Sequence, residues 1–146
     1  AGVVDFDALM AIEHGVESIY VSNHGGRQLD HGKGGMAVLP EIVEAVKGRA
    51  EIIVDGGILR GTDIVKAMAL GAKAVGIGRL QGIAMAAAGE DGMVRMIEIL
   101  QDEVTRCLGL LGVRSFAELD GSYVEPVAPL GRSWMDSAFP LLKEGY

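Results

Sequence analysis

The sequence is poor in cysteine and in positive charge, and each shortage excludes a class of protein. One cysteine among 146 residues cannot form an internal disulfide, which agrees with a reducing compartment. The formal net charge of −7 argues against nucleic acid or anionic membranes as partners. No uninterrupted apolar run reaches the roughly 18 residues needed to cross a bilayer. We therefore expect a cytoplasmic protein that binds neither nucleic acid nor membrane.

Common nucleotide and metal motifs are also missing. The sequence contains neither a Walker A pattern nor the GxGxxG fingerprint of dinucleotide-binding folds. Its histidines, His14, His24 and His31, do not share a helical face with carboxylates at ligand spacing, so we expect no metal site. A phosphate site, if present, must be built from other glycine-rich turns.

Three short apolar segments alternate with helical patterns, which is typical of an α/β fold with a parallel sheet. The predicted helices cover residues 5–14, 38–46 and 64–70, and the predicted strands cover residues 16–21, 51–57 and 72–79. Pro40 would lie in the first turn of the second helix, and Thr62 or Asp63 would be the N-cap of the third. A long helix is predicted over residues 91–111, followed by a short helix near residues 116–119 and an extended tail. Because the strands are continuously apolar, we expect them to be buried.

Residues with chemical potential follow the ends of these strands. After the first strand, His24 and Arg27 stand three positions apart and are joined by two glycines. A neutral imidazole can accept a proton, and a guanidinium can bind a carboxylate through two parallel hydrogen bonds. This pair suits a reaction on a small organic acid.

The next two strand ends are rich in glycine. Asp55-Gly56-Gly57 follows the second strand, and Gly78-Arg79 follows the third. Backbone N–H groups, a helix N-terminus and an arginine together make a natural phosphate pocket. Since (β/α)₈ barrels often bind phosphate after their last two strands, we predict the C-terminal portion of such a barrel. Residues 1–112 would form about three βα units, and residues 113–146 would form a C-terminal arm.

At these positions the sequence resembles a known family. The segment SNHGGRQLD at residues 22–30 closely resembles the signature of the FMN-dependent α-hydroxy acid oxidases and dehydrogenases, which include glycolate oxidase, lactate oxidase and mandelate dehydrogenase. DGG at residues 55–57, RGTDIVKA at 60–67 and GIGR at 76–79 match later blocks of that family in order and spacing.

The resemblance implies an activity and a role for each site residue. The enzyme would oxidise an L-2-hydroxy acid to a 2-keto acid, with FMN accepting the electrons. His24 would be the base that accepts the substrate hydroxyl or α-proton, and Arg27 would bind the substrate carboxylate. The implied cofactor-binding residues are Ser22, Asp55, Gly56, Gly57, Arg60, Gly78 and Arg79. Ser22 and Asp55 would hydrogen-bond the flavin or its ribityl chain, and the phosphate would lie on Gly57, Gly78 and Arg79.

Two features depart from the family pattern. Leu59 stands where the family usually has an arginine, and Leu80 follows Arg79 where a proline is usual. A whole barrel also needs about 250 residues, whereas this sequence has 146. We therefore expect a C-terminal part that is inactive alone, completed by the rest of the barrel on the same or a separate chain. The resemblance also implies a homo-oligomer.

Two other interpretations stay open at this point. One is a different FMN- or phosphate-binding barrel enzyme, such as an isomerase or a nucleotide dehydrogenase. The other is a non-catalytic homologous subunit, which the leucine at position 59 favours.

Overall fold

The computed structural model describes residues 4–28 and 32–127. The elements, in chain order, are α1 (Val4–Glu13), β1 (Ser18–Val21), α2 (Gly35–Val46), β2 (Glu51–Asp55), α3 (Gly61–Ala69), β3 (Ala74–Gly76) and α4 (Arg79–Leu111). Short 3₁₀ turns cover His24–Gly26, Phe116–Glu118 and Gly121–Tyr123. Within the described ranges, no helix is long and apolar enough to cross a membrane.

The three strands form one parallel sheet in the order β1-β2-β3. Tyr20 pairs with Ile53, Ile53 pairs with Ala74, and Asp55 pairs with Gly76. The predicted α/β class with a parallel sheet is therefore confirmed. Because the strands are parallel, the turns that follow them all leave from the same edge of the sheet.

The hydrophobic core lies against one face of this sheet. Val21, Ile52 and Val54 are buried there, and they pack with residues of α2. The largest fully buried side chains are Leu39, Ile42, Val46 and Val54. Burying each aliphatic side chain of this size contributes about 1.5–3 kcal/mol, so the sheet and α2 form the stable centre of the fold.

The opposite face of the sheet is only partly buried. Burial alternates along β1 and β2, and Tyr20 on the opposite face is 55% exposed. The prediction of fully buried strands is therefore wrong for this face. The physical reason is the strand geometry: successive side chains point to opposite faces, and the core residues cover one of them.

Two helices begin earlier than predicted. α2 begins at Gly35, so Pro40 lies in its second turn and not in its first. α3 begins at Gly61 and its N-cap is Arg60, so neither Thr62 nor Asp63 is the N-cap. The Asp63 carboxylate nevertheless accepts hydrogen bonds from the backbone N–H groups of Leu59 (3.2 Å) and Arg60 (3.0 Å). An acidic side chain in the first turn satisfies N–H groups that the helix itself leaves unpaired.

The last strand is shorter, and the last helix longer, than predicted. β3 has three residues, and α4 begins at Arg79 and not near residue 91. Non-helical angles at Ala88 and at Gly89 (φ 56°) divide α4 into two helical segments. The predicted helix corresponds to the second segment. The first one is rich in alanine, which favours helix without producing an apolar stripe.

Part of the predicted tail packs on the fold. The 3₁₀ turns Phe116–Glu118 and Gly121–Tyr123 contact α3, and Val113 is buried. The predicted short helix near residues 116–119 is confirmed as the first of these turns. The rest of the tail, residues 128–146, lies outside the described residues, as does the end of the SNHGGRQLD segment.

Gly61→Ala is expected to destabilise the protein, because α3 and α4 meet at this residue. A Cβ atom on Gly61 would lie 2.5 Å from the Cβ of Glu103 and 2.7 Å from the backbone nitrogen of Val104. Overpacking of this kind costs about 1–3 kcal/mol. The free energy of unfolding from a denaturant titration measures the effect.

Gly109→Ala is the matched control for this prediction. Gly109 also lies in α4, but a Cβ atom there meets nothing within 4 Å. Alanine favours helix over glycine by up to about 1 kcal/mol, so Gly109→Ala should leave stability unchanged or raise it. Equal destabilisation by both substitutions would contradict the close packing at Gly61.

Candidate active site

The candidate site lies at the sheet edge where the three strands end. β1 ends at Val21, β2 at Asp55 and β3 at Gly76, and each is followed by a glycine-containing turn. The structure therefore brings together at one edge the three sequence blocks that were expected to share a site. Loops at the carboxyl edge of a parallel sheet are where α/β proteins place their ligands.

The turn after β1 has an unusual backbone. His24, Gly25 and Gly26 have φ angles of 54°, 65° and 72°, all in the left-handed region. Glycine adopts this region freely, but a histidine there is uncommon and strained. Strain of this kind persists only where the surroundings hold it, and it is concentrated at functional sites.

Two hydrogen bonds that involve side chains help to hold this turn in place. The backbone N–H of His24 donates to Ser22 Oγ at 3.0 Å. Asn23 Nδ2 donates to the carbonyl of Lys33 at 3.2 Å, which joins the turn to the segment that leads into α2. Ser22 therefore positions the backbone of His24.

A cavity of about 610 Å³ opens beside this turn. Ser22, His24 and Gln28 line it together with residues of α1, β1 and α2. Arg27 is exposed on the same turn but is not among the residues that line this cavity. The structure thus places the candidate base at a pocket and the candidate carboxylate ligand next to it.

The turn after β2 carries an unsatisfied acceptor. Asp55 Oδ1 is buried and has no hydrogen-bond partner among the described residues. Gly56 and Gly57 have φ angles of 92° and 77°, and a Cβ atom on either would meet nothing within 4 Å. Buried polar atoms normally have a partner, so this unpaired oxygen, next to two glycines with free space beside them, fits a ligand hydroxyl group.

The turn after β3 leads directly into a helix N-terminus. Gly78 is the N-cap of α4, a Cβ atom there would meet nothing within 4 Å, and Arg79 is the exposed first residue of the helix. Free N–H groups at a helix N-terminus bind anions. Because β2 and β3 are adjacent, this N-terminus lies next to the strand that carries Asp55.

Arg60, another candidate cofactor residue, contacts α4. Its Nε donates to Glu103 Oε1 at 2.7 Å, and the N–H of Gly61 donates to Glu103 Oε2 at 2.6 Å. These hydrogen bonds from Arg60 and Gly61 lower the pKa of Glu103, and the same pair raises the pKa of Arg60. Glu103 therefore engages two of the three guanidinium nitrogens of Arg60, Nε and Nη2.

Leu59 lies in apolar surroundings. It lines a second cavity, of about 530 Å³, with Leu80 and Ile83 of α4. The two departures from the family pattern, at positions 59 and 80, therefore lie in the same cavity.

Two residues at this edge were not identified from the sequence. Tyr20 lies two positions before Ser22, and its hydroxyl hydrogen-bonds the Asp55 carboxylate. The period of two along a strand could have placed Tyr20 on the face of Ser22. Glu103 is 42 positions from Gly61, and no local pattern indicates that contact. Between residues 4 and 127, leaving out 29–31, no group of three metal-ligating side chains could hold an ion.

This chain is similar to several known proteins. A sequence profile of the FMN-dependent dehydrogenases matches residues 2–126. L-lactate oxidase from Nostoc sp. is 48% identical over 118 residues, which are 81% of this chain and 32% of that protein. 2-Hydroxyacid oxidase 1 from Mus musculus has the same identity and coverage. A solved structure of mandelate oxidase with benzoyl-formic acid is 49% identical, with a TM-score of 0.76 over 78% of this chain and 34% of that one. The chain therefore spans about a third of the length of these relatives.

Proposed function

Since this chain belongs to the family of FMN-dependent dehydrogenases, we propose that it forms part of a flavoenzyme that oxidises an L-2-hydroxy acid to a 2-keto acid. The match confirms the resemblance of the SNHGGRQLD segment to this family. The observation that carries the proposal is the strained His24, which is held by Ser22 at a cavity on the edge that also carries Asp55.

We propose that the chain is the C-terminal portion of a (β/α)₈ barrel. Residues 1–112 would contribute to the barrel and residues 113–146 would form a C-terminal arm. The one-sided burial of the sheet supports this, because in a closed barrel the open face with Tyr20 would be covered by the other strands. The remainder of the barrel would come from the same or a separate chain, and the complete protein would be a cytoplasmic homo-oligomer.

Residues of this chain would hold FMN at the ends of β2 and β3. The unpaired Oδ1 of Asp55 would accept a hydrogen bond from the ribityl chain, and Ser22 would contact the flavin. The phosphate would lie against Gly57 and Gly78 with Arg79 at the N-terminus of α4, and Gly56 would also contact the cofactor. FMN, when bound, supplies an acceptor for two electrons.

The substrate would be handled by the turn after β1. The Arg27 guanidinium would bind the substrate carboxylate through two parallel hydrogen bonds and so fix the orientation of the α-carbon. A neutral imidazole nitrogen of His24 would take the hydroxyl proton or the α-proton of the substrate, while two electrons pass from the substrate to the bound cofactor. Because the backbone at residues 24–26 is already in its left-handed conformation, this turn needs little reorganisation before His24 accepts the proton.

A flavin absorbance experiment tests this proposal. The full-length protein should be purified with bound flavin, and anaerobic addition of lactate, glycolate or mandelate should bleach the flavin band. A flavin that none of these acids bleaches would favour another FMN-dependent barrel enzyme. Absence of flavin after incubation with excess FMN would favour a non-catalytic subunit.

One observation favours the non-catalytic alternative. Leu59 replaces a usual arginine and lines an apolar cavity, and the neighbouring Arg60 pairs with Glu103. Two positions that could supply positive charge near the phosphate are therefore neutral or engaged elsewhere. The affinity for FMN decides between the two candidates.

A further inference from the structure

Tyr20 is the most unusual residue on the open face of the sheet. It belongs to β1, but a Cβ atom on Gly76 of β3 would overlap its hydroxyl group. Its side chain therefore extends across β2 and ends over Gly76. The same Cβ atom would lie 3.0 Å from the Cβ of Asp55, so Tyr20, Asp55 and Gly76 meet at one point.

The Tyr20 hydroxyl is a hydrogen-bond donor to Asp55. Loss of hydration, the negative charge of Asp55 and the hydrogen bond to it raise the pKa of Tyr20 above its ordinary value. The phenol therefore keeps its proton at neutral pH. Since Asp55 Oδ1 has no partner among the described residues, this hydrogen bond leaves that oxygen unpaired.

The glycine on β3 makes this arrangement possible. Asp55 and Gly76 are direct neighbours in the register of β2 and β3. Any side chain at position 76 would occupy the space of the Tyr20 hydroxyl. In this arrangement the Tyr20 hydroxyl contacts one side of the Asp55 carboxylate, and the oxygen Oδ1 has no partner among the described residues.

We propose that Tyr20 is a positioning residue for the cofactor: it fixes the Asp55 carboxylate so that Oδ1 accepts a hydroxyl group of the FMN ribityl chain. This inference rests on the proposed function. A fixed carboxylate loses less conformational freedom when it binds a ligand than a free one does. The contribution of Tyr20 is therefore to the affinity for FMN and not to the chemical step.

Tyr20→Phe in the full-length protein tests this role. The Kd for FMN, measured by flavin fluorescence quenching in the apoprotein, should rise roughly 5- to 20-fold. This is less than the direct loss of a hydrogen bond to a charged group would cause, because Tyr20 acts through Asp55. At saturating FMN, kcat and the KM for the 2-hydroxy acid should stay within about twofold of the parent values. A Kd unchanged by Tyr20→Phe would overturn the inference.

Two further variants separate this inference from the proposed function. In an Asp55→Ala background, Tyr20→Phe should not weaken FMN binding further, because the hydroxyl then has no carboxylate to position. If Tyr20→Phe raised the Kd for FMN by the same factor with and without Asp55, the inference would be overturned. A Kd unchanged by Asp55→Ala itself would overturn both the ribityl contact and the inference.

Gly76→Ala provides a second test in case the Asp55→Ala protein binds FMN too weakly for a Kd to be measured. The added methyl group should displace the Tyr20 hydroxyl and raise the Kd as Tyr20→Phe does. In the Tyr20→Phe background, where the hydroxyl is already absent, Gly76→Ala should raise the Kd for FMN by a smaller factor. An equal rise of the Kd for FMN in both backgrounds would overturn the inference.

Discussion

His24→Asn in the full-length protein is expected to lower the rate of flavin reduction by about 10²- to 10⁴-fold, because it removes the group that accepts the substrate proton. Asparagine is the suitable replacement, since it tolerates the left-handed region better than alanine does, and His24 has a φ angle of 54°. Anaerobic stopped-flow measurement of flavin reduction gives the rate. FMN content should stay at the parent level.

His14→Asn is the matched control. His14 is exposed just after the end of α1 and lines neither of the two cavities described above. Its substitution should leave flavin reduction unchanged. A His24→Asn enzyme that reduces its flavin at the parent rate would remove His24 from the role of base, and the cavity beside it would need another explanation.

Arg27→Lys is expected to lower kcat/KM by roughly 10- to 100-fold, mainly through a higher KM. An ammonium group keeps the charge but cannot form the two parallel hydrogen bonds that a guanidinium makes with a carboxylate. Steady-state kinetics with a 2-hydroxy acid measures the change. The melting temperature should stay the same, because Arg27 is exposed on its turn.

Arg106→Lys is the corresponding control. Arg106 is exposed on α4 and pairs with Asp102 one helical turn away. Neither residue of this pair lines the cavity beside His24 or the cavity that holds Leu59, and exposed pairs of this kind contribute little. Both kinetic constants should therefore be unchanged. A KM that Arg27→Lys leaves unaltered would show that the substrate carboxylate is bound elsewhere.

The parallel sheet and the position of the candidate site can be predicted from the sequence. Short apolar segments that end in glycine are determined locally, and the parallel sheet brings their ends to one edge. Helix boundaries were predicted less well. The start of α4 was missed because residues 83–88 favour helix by composition and carry no apolar stripe.

Contacts between distant segments could not be predicted from local patterns. The ion pair of Arg60 with Glu103 depends on how α3 packs against α4. The strain at His24 could not be predicted either. Its glycine neighbours indicate a turn, but they do not indicate that the backbone of His24 itself adopts the left-handed conformation. The hydrogen bond of Tyr20 to Asp55 depends on a side chain that extends across a strand. Each of these contacts became visible only once the register and packing were known.

The left-handed run at residues 24–26 also limits how this protein can be engineered. Backbone angles there set the direction of the Cα–Cβ bond of His24, so one inserted or deleted residue would redirect the imidazole even with every side chain retained. Redesign of substrate preference is therefore better confined to the walls of the neighbouring cavity, with the length of this turn kept constant.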